Sequence, residues 1–173
     1  MGTCGILAEA LRYPVPGLME ELQAGFSAMP VGEVRGAYGA FLGRLRRLEL
    51  GAWEELYTRT WDLNPAVVPY VGYQIWGDSY QRGNFMADMS RALRECGINF
   101  EGELPDHLVP VLQYLDVCSQ PIPELMEIIE RSIQKMQADL RKSDQDNPYN
   151  ELLDTVAQAV HTIVINLEKE KEK

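Results

Sequence analysis

Three adjacent residues carry the clearest chemical potential in this chain: Pro105, Asp106 and His107, within GELPDHL at residues 102–108. A carboxylate beside an imidazole can hold a cation, accept backbone N–H groups or move a proton. Pro105 removes a backbone donor, pins its own φ and pushes Leu104 out of the helical region. Asp106 is then expected at or just inside a helix start, where a carboxylate meets orphan N–H groups and the positive end of the helix dipole. Leu108, Val111, Leu112 and Leu115 follow at helical spacing, and Pro110 fits a first turn. On motif geometry alone these residues describe a helix N-terminus with a proline, an acidic cap and an exposed histidine.

Other chemistries have little to work with. Neither a phosphate-binding glycine loop nor a G-x-S-x-G elbow occurs, and no pair of carboxylates stands out for acid–base work. The three cysteines, Cys4, Cys96 and Cys118, are far apart, and with two histidines they do not form a zinc or iron–sulfur pattern. Cys96 and Cys118 are expected at helix C-terminal ends, where the dipole disfavours a thiolate. Sixteen basic against 26 acidic residues leave a formal charge of −10, the wrong sign for a non-specific nucleic-acid binder; it fits a soluble protein as well as one with a cationic partner. No signal peptide or membrane span is visible, so a cytoplasmic location is expected. The pattern points to binding rather than catalysis, with no cofactor.

The positioning elements read as helices. The first carries Ile6, Leu7, Ala10 and Leu11 and stops at Pro14. The second runs roughly from Pro16 to Ala28, with Leu18, Leu22 and Phe26 on one side. The third begins near Gly32 and bears Tyr38, Phe41, Leu42, Leu45 and Leu48. Its Gly36, Gly39 and Gly43 weaken it but could admit a close neighbour, and its Arg44, Arg46 and Arg47 read as a solvated face. WEELYTRTW is a short amphipathic helix. A helix from about Asp78 to Glu95 buries Phe85, Met86, Met89 and Leu93 and takes Arg82 and Gly83 into its first turns. PELMEIIERSIQKMQADLRK is plainly amphipathic, and YNELLDTVAQAVHTIVINL forms the last helix, with His161 on its flank. No strand alternation appears. The expected fold is all-α, a single compact domain of about seven helices over residues 1–167, with EKEKEK at 168–173 as a charged, disordered tail.

The helical pattern breaks once, around DLNPAVVPYVGYQIWGD. Pro65 and Pro69 prevent regular helix through Asn64 and Val68. Trp61, Tyr70, Tyr73 and Trp76 bring large apolar rings with polar handles, which suits either an interface or the cover of a core.

WEELYTRTWDLNP, VPYVGYQIWGDSYQRG and GELPDHLVPVLQYL, in this order from Trp53 to about Leu115, resemble the NarJ/TorD family of molybdoenzyme maturation chaperones, to which the nitrate reductase delta subunits are related. LAEALRYP and NPYNELLDTVAQAV resemble its first and last conserved segments. The resemblance implies an all-helical chaperone that binds the N-terminal region of a molybdopterin oxidoreductase catalytic subunit. That region is often a twin-arginine signal peptide or its remnant. Binding holds back export or membrane attachment until the molybdenum cofactor is inserted in the client. The resemblance also implies peptide recognition by Pro105, Asp106 and His107 and by the aromatics Trp61, Tyr70, Tyr73 and Trp76. Asp106, with Asp62, Asp78 and Glu103, would then face the peptide arginines, and His107 would make recognition pH-sensitive.

This chain departs from the nitrate reductase branch in ending soon after its last helix and in its richer aromatic segment, so the client is open among related anaerobic-respiration enzymes. Some members exchange helices, so a monomer and a helix-exchanged dimer are both compatible. Two other readings stand beside the chaperone. One is a stable, non-catalytic structural subunit of a respiratory complex. The other is a small helical enzyme using Asp106 and His107.

Overall fold

The computed structural model of the chain describes residues 1–64, 67–100 and 102–171. Among these residues it is built of nine α-helices and one π-helical turn, with no strand. The helices are α1 (Thr3–Glu9), α2 (Leu18–Ala28), α3 (Glu33–Leu45), α4 (Leu50–Tyr57), α5 (Val71–Trp76), α6 (Tyr80–Glu95), α7 (Leu108–Val117), α8 (Pro123–Ser143) and α9 (Tyr149–Lys171), with the π turn at Thr58–Asp62. The surplus over the expected seven comes from short elements such as α5, which forms after Pro69. A proline constrains the residue before it, not the run that follows. Pro65 itself lies outside the described residues.

The N-terminal half of α9 is the spine. Tyr149, Leu152, Leu153, Val156 and Val160 are fully buried, and α1, α3 and α8 pack around them. Leu125, Ile129, Ile133, Met136 and Leu140 of α8 share one helical face and are equally buried, as their 3–4 residue spacing requires. The apolar core holds the layers together, and polar contacts between elements set their register. Trp53 donates Nε1–H to the Tyr149 hydroxyl at 3.0 Å. Asp116 of α7 accepts from the backbone N–H of Gly2 at 2.7 Å and of Gly5 at 2.9 Å. It thereby caps the start of α1, whose own cap residue, Gly2, has no side chain to do so.

Three sequence expectations change in detail. Of the three glycines in α3, only Gly39 sits at a close approach, where an added Cβ would lie 3.1 Å from the Phe26 ring of α2. Arg44, read as part of a solvated face, ties α3 to α9 through Glu151 at 2.7 Å. The charged tail from residue 168 begins as helix rather than disorder, because α9 continues to Lys171. Glu and Lys are good helix formers, and lysines near a C-terminus suit the dipole. Residues 172 and 173 lie outside the described residues. No helix among the described residues is long and apolar enough to cross a membrane.

Candidate functional site

The hinge at residues 104–108 is pinned by the broken segment that precedes α5. Tyr70 and His107 form an isolated antiparallel bridge. Val71 donates its N–H to the Asp106 carbonyl at 2.8 Å, and Leu108 donates to the Pro69 carbonyl at 2.7 Å. Two irregular stretches, each short of partners because of its prolines, thus satisfy one another's backbone groups. From below, Ser132 of α8 donates its hydroxyl hydrogen to the Val71 or Ile128 carbonyl, both 2.9 Å away. Lys135 donates to the Gln74 carbonyl at 3.1 Å and so caps the end of α5.

Asp106 is fully buried. Its carboxylate takes a two-pronged contact from Arg82 of α6, with Nε to Oδ2 at 2.8 Å and Nη2 to Oδ1 at 3.2 Å. The third guanidinium nitrogen reaches Asp78 at 3.1 Å. The rings of Tyr70 and Tyr73 lie 5.4 and 5.2 Å from the guanidinium carbon, within cation–π range. The expectation that Asp106 offers its charge to a peptide arginine is therefore overturned: an arginine of the same chain already fills that place. Asp78 is exposed but serves the same Arg82.

Asp106 is also not the cap of α7. That position belongs to His107, whose Nδ1 accepts the Val109 N–H at 3.2 Å. An accepting Nδ1 leaves the ring hydrogen on Nε2, which lies 3.9 Å from Glu103 Oε2. His107 is buried rather than exposed. Burial pulls its pKa down to about 4, against a smaller opposing pull from Asp106. It therefore stays neutral across the physiological range, so the expected pH-sensitive recognition cannot come from this imidazole.

Gly72 is where α5 meets the ion pair. A Cβ there would lie 2.9 Å from Asp106 Oδ2, 3.0 Å from the buried Phe85 ring and 3.3 Å from Arg82 Cγ. Gly72→Ala is expected to destabilise the fold by ~1–3 kcal/mol through overpacking. That cost offsets or exceeds the roughly 1 kcal/mol of helix propensity gained, because the carboxylate is held by Arg82 and both it and the Phe85 ring are fully buried. A denaturant titration reads this directly as a lower midpoint.

Protein-family models give no match to this chain, and no curated protein is significantly similar to it. The chemistry of the site stands on its own residues.

The sequence candidates divide into two groups. Tyr70, Glu103, Asp106 and His107 come together at the hinge with the half-buried Pro105, and Tyr73 joins them through Arg82. Asp62 is also close, since its charge acts on Glu103, Tyr70 and Tyr57. Trp61 is elsewhere: it is buried and packs edge-on against Tyr149, 5.4 Å between ring centres. Its expected place on a peptide-facing surface is overturned by its role in the core. Trp76 is half-buried and faces Phe85 of α6 at 5.4 Å, so it braces the back of α5.

The charge balance at the hinge surface is uneven. Glu103 is held above the usual carboxylate range, by partial burial first and by Asp62 as well, against the lowering effect of the Leu104 N–H. The Tyr70 hydroxyl is pushed up by burial and then by Glu103. Among the described residues no Lys or Arg forms an ion pair with Asp62 or Glu103. The thiols show the opposite of activation. Burial raises Cys4 to about 12, and partial burial and the neighbouring Cys118 raise Cys96. Cys96 and Cys118 do stand at helix C-terminal ends as expected, yet proximity and desolvation are the causes for Cys96.

Sequence reasoning missed three contributors: Arg82 as the partner of Asp106, Gly72 as the space for it, and Tyr57, whose hydroxyl feels the charges of Asp62 and Glu103. Arg82 lies 24 residues from Asp106, and no local pattern links them.

Proposed function

We propose that this chain is a maturation chaperone of the NarJ/TorD kind. In this reading it binds the N-terminal, twin-arginine-type region of a molybdenum oxidoreductase catalytic subunit and holds it until the client's cofactor is in place. One observation carries the reading: Glu103 sits beside Tyr70 under the charge of Asp62, and among the described residues neither carboxylate has a Lys or Arg ion pair, Glu103 facing only the neutral His107 at 3.9 Å. A guanidinium placed between them would supply the missing charge and meet an aromatic face. Asp106, Arg82 and His107 act in this scheme as positioning residues that hold Tyr70 and Glu103 at the surface. The resemblance of the hinge and aromatic segments to that family supplies the client class.

The same chemistry sets a pH dependence. A bound cation favours the ionised form of Glu103, whose pKa is raised in the free protein, so binding and deprotonation of Glu103 support one another. Affinity is expected to fall as pH drops through the upper carboxylate range, and Glu103→Gln should remove most of that dependence. Binding measured across that range checks it.

Co-expression with a molybdenum enzyme tests the role itself. A chaperone co-purifies with the cofactor-free catalytic subunit and leaves the loaded enzyme. Retention in fixed ratio on the loaded enzyme would make the chain a structural subunit instead. Failure to capture either form would overturn both readings.

A further inference from the structure

A second surface lies away from the hinge, where the start of α8 meets the end of α9. The hinge stands before α7, and α8 starts just beyond the other end of α7. The ten residues of α7 separate the two by roughly 15 Å at helical rise. There a groove of about 780 Å³ opens between the two helices. Pro123, Met126, Val164 and Leu167 form an apolar floor. Met126, Val164 and Leu167 are only partly covered, because α9 runs on past Val160, its last fully buried residue. Glu127, Glu130, Glu168 and Glu170 form the rim. Glu130 approaches His161 at 2.7 Å, whereas Glu127, Glu168 and Glu170 have no ion pair among the described residues. Lys169 is two residues on from Leu167, a spacing that turns it to the other flank of the helix.

We infer that this groove docks a basic amphipathic helix of a partner protein. A third helix laid between two others buries the uncovered apolar strip, and lysines or arginines along its edges meet the glutamates. The charge disfavours the simplest alternative. A second copy of this chain, itself at −10, would set acid against acid across the same face. The inference is independent of the chaperone reading, because it draws on none of the hinge residues.

The probe is a helical peptide of about 18 residues, roughly 27 Å long, with leucines on one face and lysines on the other. A scrambled peptide of the same composition is the control. Saturable binding of the amphipathic form is expected, weakened about tenfold by the double charge reversal Glu127→Lys with Glu168→Lys. Leu167→Asp should weaken it at least as much without unfolding the chain, since Leu167 lies beyond the core. Glu103→Gln should leave it unchanged, which separates this surface from the hinge. Equal binding of the scrambled peptide, or indifference to all the groove variants, would overturn the proposal. So would a dimer that forms with concentration, seen by sedimentation, and dissociates on Leu167→Asp.

Discussion

Asp106→Ala is expected to cost ~3–5 kcal/mol of unfolding free energy, the range for breaking a buried ion pair from one side. The carboxylate is fully buried, and its removal leaves the Arg82 guanidinium without its two-pronged partner at 2.8 and 3.2 Å. Only the exposed Asp78 at 3.1 Å and two tyrosine faces remain to it. Surface contacts of that kind contribute ~1 kcal/mol or less each, so they do not offset the loss. The backbone bond from the Val71 N–H to the carbonyl of residue 106 does not involve the side chain and remains in the variant, so the loss reads the ion pair rather than the hinge backbone. Replacing both partners with apolar residues, Arg82→Met with Asp106→Leu, should recover much of the loss, since no charge is then stranded. Denaturant melts of the singles and the double measure this. A double mutant as unstable as the sum of the singles would show that packing, not charge, holds the hinge.

The second large effect is a pH slope assigned to His107. Its pKa falls from 6.5 to about 4 on folding because the ring is buried, and protonation at Nδ1 would also set one donor against the Val109 N–H. Below about pH 6.5 the unfolded chain binds a proton that the native chain refuses. The stabilising contribution of the neutral ring is therefore complete above that pH and lost as pH falls toward 4. Linkage gives a loss of about 2 kcal/mol between about pH 7 and about pH 5. Glu103 works in the opposite sense: its raised pKa favours the native state as its carboxyl protonates. His107→Asn isolates the term, since asparagine can still cap α7 but does not titrate. The variant should lose that part of the slope; an unchanged slope would place the titration on another group.

Much of the helical framework was legible because periodicity is local. The apolar stripe of α8, the start of α7 after Pro105 and the position of Arg82 in the first turns of α6 all follow from spacing and breakers. What was not legible depends on long-range closure. Asp106 looked like a free acid at a helix start, and only the packing of α6 beside α5 makes it the partner of Arg82. His107, expected at the surface, took the capping role because the bridge to Tyr70 turns its ring inward. Trp61 and Tyr70 are both aromatic residues near the broken segment. One enters the core against Tyr149 while the other stays half-covered at the hinge, and no sequence pattern distinguishes them. Gly72 carried no signal either, since its need for a bare backbone comes from Phe85 and Asp106.

The most direct measurement is a calorimetric titration with the N-terminal peptide of a molybdenum oxidoreductase catalytic subunit. Wild type is compared with the double mutant Asp62→Asn with Glu103→Gln, using the natural peptide and one with its arginines replaced by alanine. Neutralising Glu103 removes a charge the fold already disfavours, so the variant should stay folded. Saturable binding is expected, weakened about tenfold or more by the double mutant through lost contacts to charged groups. The alanine peptide should bind wild type and mutant alike. Equal binding of the natural peptide to both proteins would contradict the assignment of its arginines to this patch.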